Sequence, residues 1–284
     1  MGYDLHTHSI YSDGTLKPAE LIIKAVDRGL SGISLTDHDS IAGISEAVLE
    51  AAKRQYTFVP GVELTTDYGN SEVHVLGYHF DLHFQALLSK LEKIVESRKE
   101  RAQLIIQKLK QNNLPLSWEK VRAQTTSRFI GRSHIFRALE SEGMISREHR
   151  QGAFEYYLGK NGVAYVPHNE IGTFEAIELI NNAGGIAVLA HPGRMNNDAL
   201  IPEFVDGGLK GLEVYYPTHN PQQTAKYLEL ARKYHLFCTG GSDYHGALSH
   251  ARLGDAQVEE ISAWFDMKMS VPNKGQYAKK WDES

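Results

Sequence analysis

Apolar and polar positions change their period twice along this chain. Tyr3, Asp4 and Leu5 read as a short buried strand. A helical spacing over 18–28 follows, with Pro18 suited to a first turn and Gly29 marking the stop. The next apolar run, 32–36, is a strand, and a helix over about 41–54 separates it from a further run at 58–62. A turn over 67–70 leads into a strand at 73–78.

From about 82 to 159 only the helical period remains. Leu87, Leu88, Leu91, Ile94, Val95, Leu104, Ile105 and Leu109 form one apolar stripe, and the basic residues between Lys90 and Lys110 read as its wet face. Shorter helices are predicted over 118–123, 133–142 and 148–158. Alternation resumes near Tyr165, with helices over 173–182, 199–206 and 221–235 and strands over 186–190, 211–215 and 236–239. A last helix is predicted over 259–267. About seven strands, most joined by helices, predict a parallel α/β barrel built from 1–79 and 164–284. Residues 80–163 read as an inserted helical cap subdomain, or as a helical run that only covers the barrel end.

Composition narrows the field. The 284 residues are 42% hydrophobic and 23% charged, as in an ordinary soluble globular protein. A net charge of −5 gives no basic field for gripping long nucleic acid. Cys238 is the single cysteine, which excludes an internal disulfide and a thiolate metal site. No signal peptide and no apolar run long enough to span a membrane is read, and a reducing cytoplasm fits. The 14 histidines are the anomaly, because many fall where strands end.

His6 and His8 stand one residue apart and so share one side of their strand, five residues from Asp13. His38, Glu63, His191, Asp243 and His245 fall at later strand ends, which in an α/β barrel meet on one rim. Imidazole and carboxylate converging in this way point to divalent metal. His74 lies one step inside its strand and could instead be a buried, hydrogen-bonded histidine.

Taken in order, His-x-His, Thr-Asp-His-Asp, Gly-Val-Glu, a strand histidine, Ala-His-Pro and Gly-Ser-Asp-Tyr-His resemble the polymerase and histidinol phosphatase (PHP) family over roughly 1–79 and 165–250. The resemblance implies a distorted, TIM-like (β/α)7 barrel with two or three divalent ions, manganese first, zinc or iron(II) as alternatives. It implies one ion held by His6, His8, Glu63 and Asp243, a second by Asp13, His38 and His245, and a third by Glu63, His74 and His191. Many members carry histidine where this chain has Asp13, a harder ligand that favours manganese there. The insertion, with Gly131-Arg132-Ser133-His134, is similar to the small stand-alone enzymes that remove phosphate from nucleoside 3′,5′-bisphosphates, some of which trim short RNA from the 5′ end.

The expected activity is metal-dependent hydrolysis of a small phosphorylated nucleotide, the 3′-phosphate of a nucleoside 3′,5′-bisphosphate, by water activated between the metals. Arg194 would stabilise phosphoryl charge, and Asp37 or His245 would assist the departing alcohol. Arg132 and His134 would hold a second phosphate, unless they are an ordinary helix start capped by Ser133. His168 and His219 fall in loops on the same rim, as substrate groups or as surface histidines. Alternatives are a histidinol-phosphate or phosphotyrosine phosphatase, a 5′–3′ exonuclease on short RNA, and a metal-stabilised nucleotide-binding module without turnover.

Overall fold

Strand β1 (Tyr3–Asp4) leads through α1 (Pro18–Asp27) to β2 (Gly32–Leu35), whose four residues are all buried. A strand covered on both faces needs such an unbroken run rather than an alternating one. After α2 (Ile44–Arg54) come β3 (Thr57–Tyr68) and β4 (Ser71–Tyr78). The helical stretch holds α3 (Gln85–Gln111), α4 (Trp118–Arg122), α5 (Arg132–Ser141) and α6 (Arg150–Leu158). The chain then runs α7 (Thr173–Asn182), β5 (Ile186–Leu189), α8 (Pro192–Met195), α9 (Ile201–Asp206), β6 (Gly211–Tyr215), α10 (Pro221–Lys233) and β7 (Phe237–Gly240). This computed structural model describes residues 2–69, 71–145, 150–167, 170–249 and 251–259. His168 and the helix expected beyond Glu259 lie outside them.

The seven strands form one sheet in the order β1 to β7. The two edges approach one another. Leu5 N–H donates to the Gly240 carbonyl at 3.0 Å and Asp243 N–H to the His6 carbonyl at 2.9 Å, nearly closing a barrel. The sheet is mixed, which corrects the all-parallel expectation. β4 pairs antiparallel with β3 in a register from Gly61↔Tyr78 to Tyr68↔Ser71, and antiparallel with β5 as well. The cause is local: a turn around Gly69, at φ +56°, is too short for the crossover a parallel neighbour needs.

Inside the barrel, Leu5, Val59, Leu76, Tyr78, Ile186 and Val188 pack together. The helical insertion buries a separate core that includes Ile105, Leu109, Val121, Ile135 and Leu139. α3 departs from the expected wet face. Arg98 and Arg101 are only 5% and 7% exposed, in register with buried Leu91, Ile94 and Ile105. Arg98 ties the insertion to the barrel through a buried ion pair with Asp39, its Nε 2.8 Å from Oδ2. Among the described residues no helix is long and apolar enough to cross a membrane.

Candidate metal centre and active-site cavity

The chain leaves β1 at Asp4, and the next residues alternate. Thr7 turns inward, its hydroxyl donating to the Ser34 carbonyl at 2.5 Å, while His6 and His8 face the barrel mouth together. Their Nε2 atoms each lie 3.2 Å from Glu63 Oε2 at the middle of β3. Asp243, beyond β7, brings Oδ1 to 3.1 Å from His8 Nε2 and 3.5 Å from His6 Nε2. His38 Nδ1 reaches Glu63 Oε2 at 3.0 Å, while His74 Nδ1 and His191 Nε2 reach Oε1 at 2.8 and 3.2 Å. His245 Nε2 stands 3.1 Å from Asp13 Oδ1. The reversed direction of β4 explains His74: Thr65 pairs with it, so the start of β4 lies at the rim where β3 ends.

Among the described residues three groups could hold an ion: His6, His8, Glu63 and Asp243; His8, Asp13, His38 and His245; and His38, Glu63 and His74. The first is the expected set. The second gains His8, and the third takes His38, with His191 remaining beside Glu63 Oε1. The donors fit divalent ions. His6 Nε2, His8 Nε2, His38 Nδ1, Glu63 Oε2 and Asp13 Oδ1 are buried polar atoms without a hydrogen-bond partner. Two ligands about 2.1 Å from one ion stand roughly 3.0–3.4 Å apart, the spacing these atoms show to one another. Orphaned polar atoms facing one another at that distance would be costly in a purely structural cluster.

Electrostatics give the same reading. Burial opposes ionisation of Glu63, Asp13 and Asp243, yet the surrounding imidazoles hold all three well below the carboxylate range. Burial also opposes a charged His8, but Asp243 and Glu63 push it up to about 10; His74, facing Glu63 and Glu72, rises to about 9. The carboxylates therefore demand positive charge at the centre, which divalent ions supply. His38, pushed down to about 3 chiefly by burial, stays neutral and able to ligate.

Neighbouring groups aim these rings. His6 Nδ1 lies 2.9 Å from Glu213 Oε1, whose other oxygen accepts from His191 N–H at 2.6 Å. This contact turns His6 Nε2 toward Glu63. His245 Nδ1 lies 2.8 Å from the Asp243 carbonyl, which leaves Nε2 for Asp13. Tyr216 O–H donates to Asp243 Oδ2 at 2.9 Å, freeing Oδ1 for the histidines.

Three expected roles are corrected. Asp37 accepts from Ser9 N–H at 2.7 Å and from the Ser9 and Ser12 hydroxyls at 2.6 Å. Its carboxylate braces the loop carrying His8 and does not line the cavity, so it is not placed to assist a leaving alcohol. His134, 1% exposed, accepts the Gly131 N–H on Nδ1 at 3.0 Å; it caps α5 and does not face the cavity. His219 places Nδ1 2.9 Å from the Val214 carbonyl and accepts Gly193 N–H on Nε2 at 3.2 Å. It supports the loop that carries Arg194 and leaves no ring nitrogen for substrate.

A cavity of about 220 Å³ opens over the centre. Asp13, His38, Glu63 and His74 line its floor, and Arg98, Arg101 and Arg132 of the helical insertion line it as well. Arg194 reaches it from the barrel side, its Nη1 3.3 Å from Tyr216 Oη and 3.5 Å from Asp243 Oδ2. Arg132 Nη2 contacts both oxygens of Glu72, at 2.9 and 2.7 Å. Arg98 and Arg101 were not among the expected site residues. Their signal was two arginines in register with the buried face of the α3 stripe.

Comparison with known proteins agrees with this geometry. The PHP domain family matches residues 4–156. The chain is 33% identical to the 5′-3′ exoribonuclease Rnm of Escherichia coli (strain K12), over 89% of this chain and 88% of that protein. It is 34% identical to a 3′,5′-nucleoside bisphosphate phosphatase of Chromobacterium violaceum, over 85% of this chain and 86% of the relative. A crystal structure from Bifidobacterium adolescentis, assigned to the metal-dependent phosphoesterases, superposes with a TM-score of 0.85 at 32% identity, covering 92% of this chain and 93% of that one. A nearly closed seven-stranded sheet, clustered metal-type donors at its mouth and these relatives together place the chain in the PHP family, as a metal-dependent hydrolase of phosphoric ester bonds.

Proposed function

We propose that the protein removes the 3′-phosphate from nucleoside 3′,5′-bisphosphates, using two or three divalent ions, manganese first. His6, His8, Glu63 and Asp243 would hold one ion, Asp13, His38 and His245 a second, and His74 and His191 would complete a third position beside Glu63. Such ions supply Lewis acidity toward phosphoryl oxygens and lower the pKa of a coordinated water. The chain's own residues do the rest. Arg194, close to Asp243 and open to solvent, neutralises the phosphoryl group as it arrives. Glu213 and Tyr216 keep His6 and Asp243 in place, and His245, fixed through its Nδ1 on the Asp243 carbonyl, turns Nε2 toward Asp13 and the second ion position.

The observation that carries this reading is the cavity's polarity. Metal-type donors form the floor, and arginines of the insertion face the same space. A substrate with one phosphate fits the floor alone; a substrate with two uses both. Histidinol phosphate would bring an ammonium and an imidazole toward guanidinium groups. The small cavity also suits a mononucleotide rather than long nucleic acid. A second reading, trimming of short RNA, is favoured by a neighbouring concavity of about 700 Å³ that shares Arg194, Asp243 and His245 and leaves room for a larger leaving group.

The test compares phosphate release from adenosine 3′,5′-bisphosphate and adenosine 3′-monophosphate. The expected outcome is a higher kcat/KM for the bisphosphate by about tenfold or more, because an anchored non-reacting phosphate positions the reacting one. Arg132→Ala should narrow that gap by weakening only the bisphosphate. Equal rates on the two substrates would sink the bisphosphate reading and leave the phosphoesterase intact.

A further inference from the structure

The histidines at the barrel mouth are not all aimed in the same way. His6 Nδ1 lies 2.9 Å from Glu213 Oε1, His245 Nδ1 2.8 Å from the Asp243 carbonyl and His8 Nδ1 3.4 Å from Ser12 Oγ. Each contact fixes a ring by its other nitrogen, the usual arrangement for an imidazole that ligates a metal. His38 differs. Its Nδ1 faces Glu63 Oε2 at 3.0 Å, and among the described residues no hydrogen bond holds its ring.

Packing holds it instead. His8, His74 and His245 surround His38 with centroids 4.6, 5.3 and 6.1 Å away, but these are themselves candidate ligands. Among the described residues the remaining ring against His38 is Phe129 of the insertion, nearly parallel to it at 15° with centroids 6.1 Å apart. That spacing is within the range of an offset stack.

Phe129 is itself held. It is 3% exposed and lines the cavity. Arg98 places Cζ 4.7 Å from its centroid, a cation over an aromatic face, and His134 meets it edge to ring at 5.8 Å. A methyl group on Gly131 would stand 3.0 Å from the ring, so the glycine before α5 lets the chain close on it. Arg98 is fixed in turn by Asp39, the residue after His38, and by the Thr65 hydroxyl at 2.8 Å. His38, Asp39, Arg98 and Phe129 thus form a closed bracket, joined by the chain, an ion pair, a cation–π contact and a ring stack. Two of its members come from the barrel and two from the insertion.

We propose that Phe129 is a positioning residue: its ring holds the His38 imidazole in the orientation that ligates, so the helical insertion supports the second ion position as well as covering it. The inference rests on the ion-binding reading of the barrel mouth.

Phe129→Leu removes the ring and keeps an apolar side chain; Phe129→Tyr keeps the ring. Each full-length protein is stripped with chelator, checked for its fold by circular dichroism and titrated calorimetrically with manganese. In Phe129→Leu one class of site should weaken about threefold to tenfold, less than the roughly tenfold to hundredfold expected where a hydrogen-bonded support is lost. Phe129→Tyr should stay within about twofold of wild type. The comparison is repeated in a His38→Ala background, where the ring that Phe129 aims is gone. There Phe129→Leu should change manganese binding less than about twofold, whereas a general loosening of the insertion would weaken the remaining sites as before. Should Phe129→Leu not fold, Phe129→Met, of closer volume, takes its place. Wild-type affinity in the variant without the ring, equal losses in the Leu and Tyr variants, or an undiminished loss in the His38→Ala background would overturn the role. A wild type that binds no ion overturns the ion reading and this role with it. A wild type that binds ions beside an unaffected Phe129→Leu overturns this role alone.

Discussion

Five imidazole nitrogens stand within 3.2 Å of Glu63, a residue with no exposed surface. β3 runs on past the four-residue β2 beside it and carries this carboxylate to the middle of the rim. Glu63→Ala therefore removes a donor from two of the three candidate ion groups at once. Elemental analysis of protein prepared without chelator should show a clear fall in bound metal. The loss of affinity should exceed the roughly tenfold to hundredfold typical of residues that only support a ligand, and phosphate release should fall with it. Full metal content and full rate in this variant would mean that Glu63 only balances charge. At this same scale the sequence misled for Asp37, His134 and His219. Each is a residue type suited to the chemistry, near the right strand or helix end, with its polar atoms already committed to hydrogen bonds.

Elements show why one of those commitments matters. α5 begins at Arg132 after Gly131, which offers no side-chain cap, and His134 at the third helical position reaches back to the Gly131 N–H. Glutamate or glutamine usually fills this role. A neutral imidazole can accept that bond; a protonated one cannot. Burial, and then Arg137, push His134 down to about 4 from an ordinary value of 6.5. The folded value is the depressed one. The stabilisation is therefore complete above about pH 6.5 and is lost as pH falls toward 4. Between pH 7 and 5 the loss is about 2 kcal/mol. Hydrogen exchange should show α5 amides losing protection over this window in wild type. His134→Gln keeps an acceptor at the same position and should be flat across it; an identical pH response in the two proteins would refute this role for the ring.

Across the whole molecule, the barrel mouth gathers charge that the rest of the fold only surrounds. The carboxylates of Asp13, Glu63 and Asp243 meet several imidazoles there, supplied by segments from residue 6 to residue 245, and Asp13, Glu63, His6, His8 and His38 each leave a buried atom without a hydrogen-bond partner. Ions bound at that place link both sheet edges and the central hairpin. Binding to the folded state alone at about a hundred times the dissociation constant contributes about 3 kcal/mol. For a chain of this size that is a rise in Tm of roughly 5–10 °C. Scanning calorimetry with chelator and then with added manganese should show the difference, and coincident midpoints would argue against ion binding at this rim. Arg98 and Asp39 join the insertion to the loop carrying His38, so the cavity's two walls are held together by a buried ion pair.

What the sequence alone determined is what local order can encode. Strand and helix alternation, the helical insertion, and histidine or carboxylate at successive strand ends all follow from short-range spacing, and the family resemblance rests on the same short motifs. Even the register of Arg98 and Arg101 within the α3 stripe was there to be read. Tertiary structure alone decided the rest. It decided that β4 runs against its neighbours, which brings His74 to the rim. It decided that Asp39 answers Arg98 and Glu72 answers Arg132. It also decided which histidines keep a nitrogen free. The physical reason is the same in each case: a hydrogen bond or ion pair depends on which group arrives from a distant part of the chain, and no periodicity within an element carries that information.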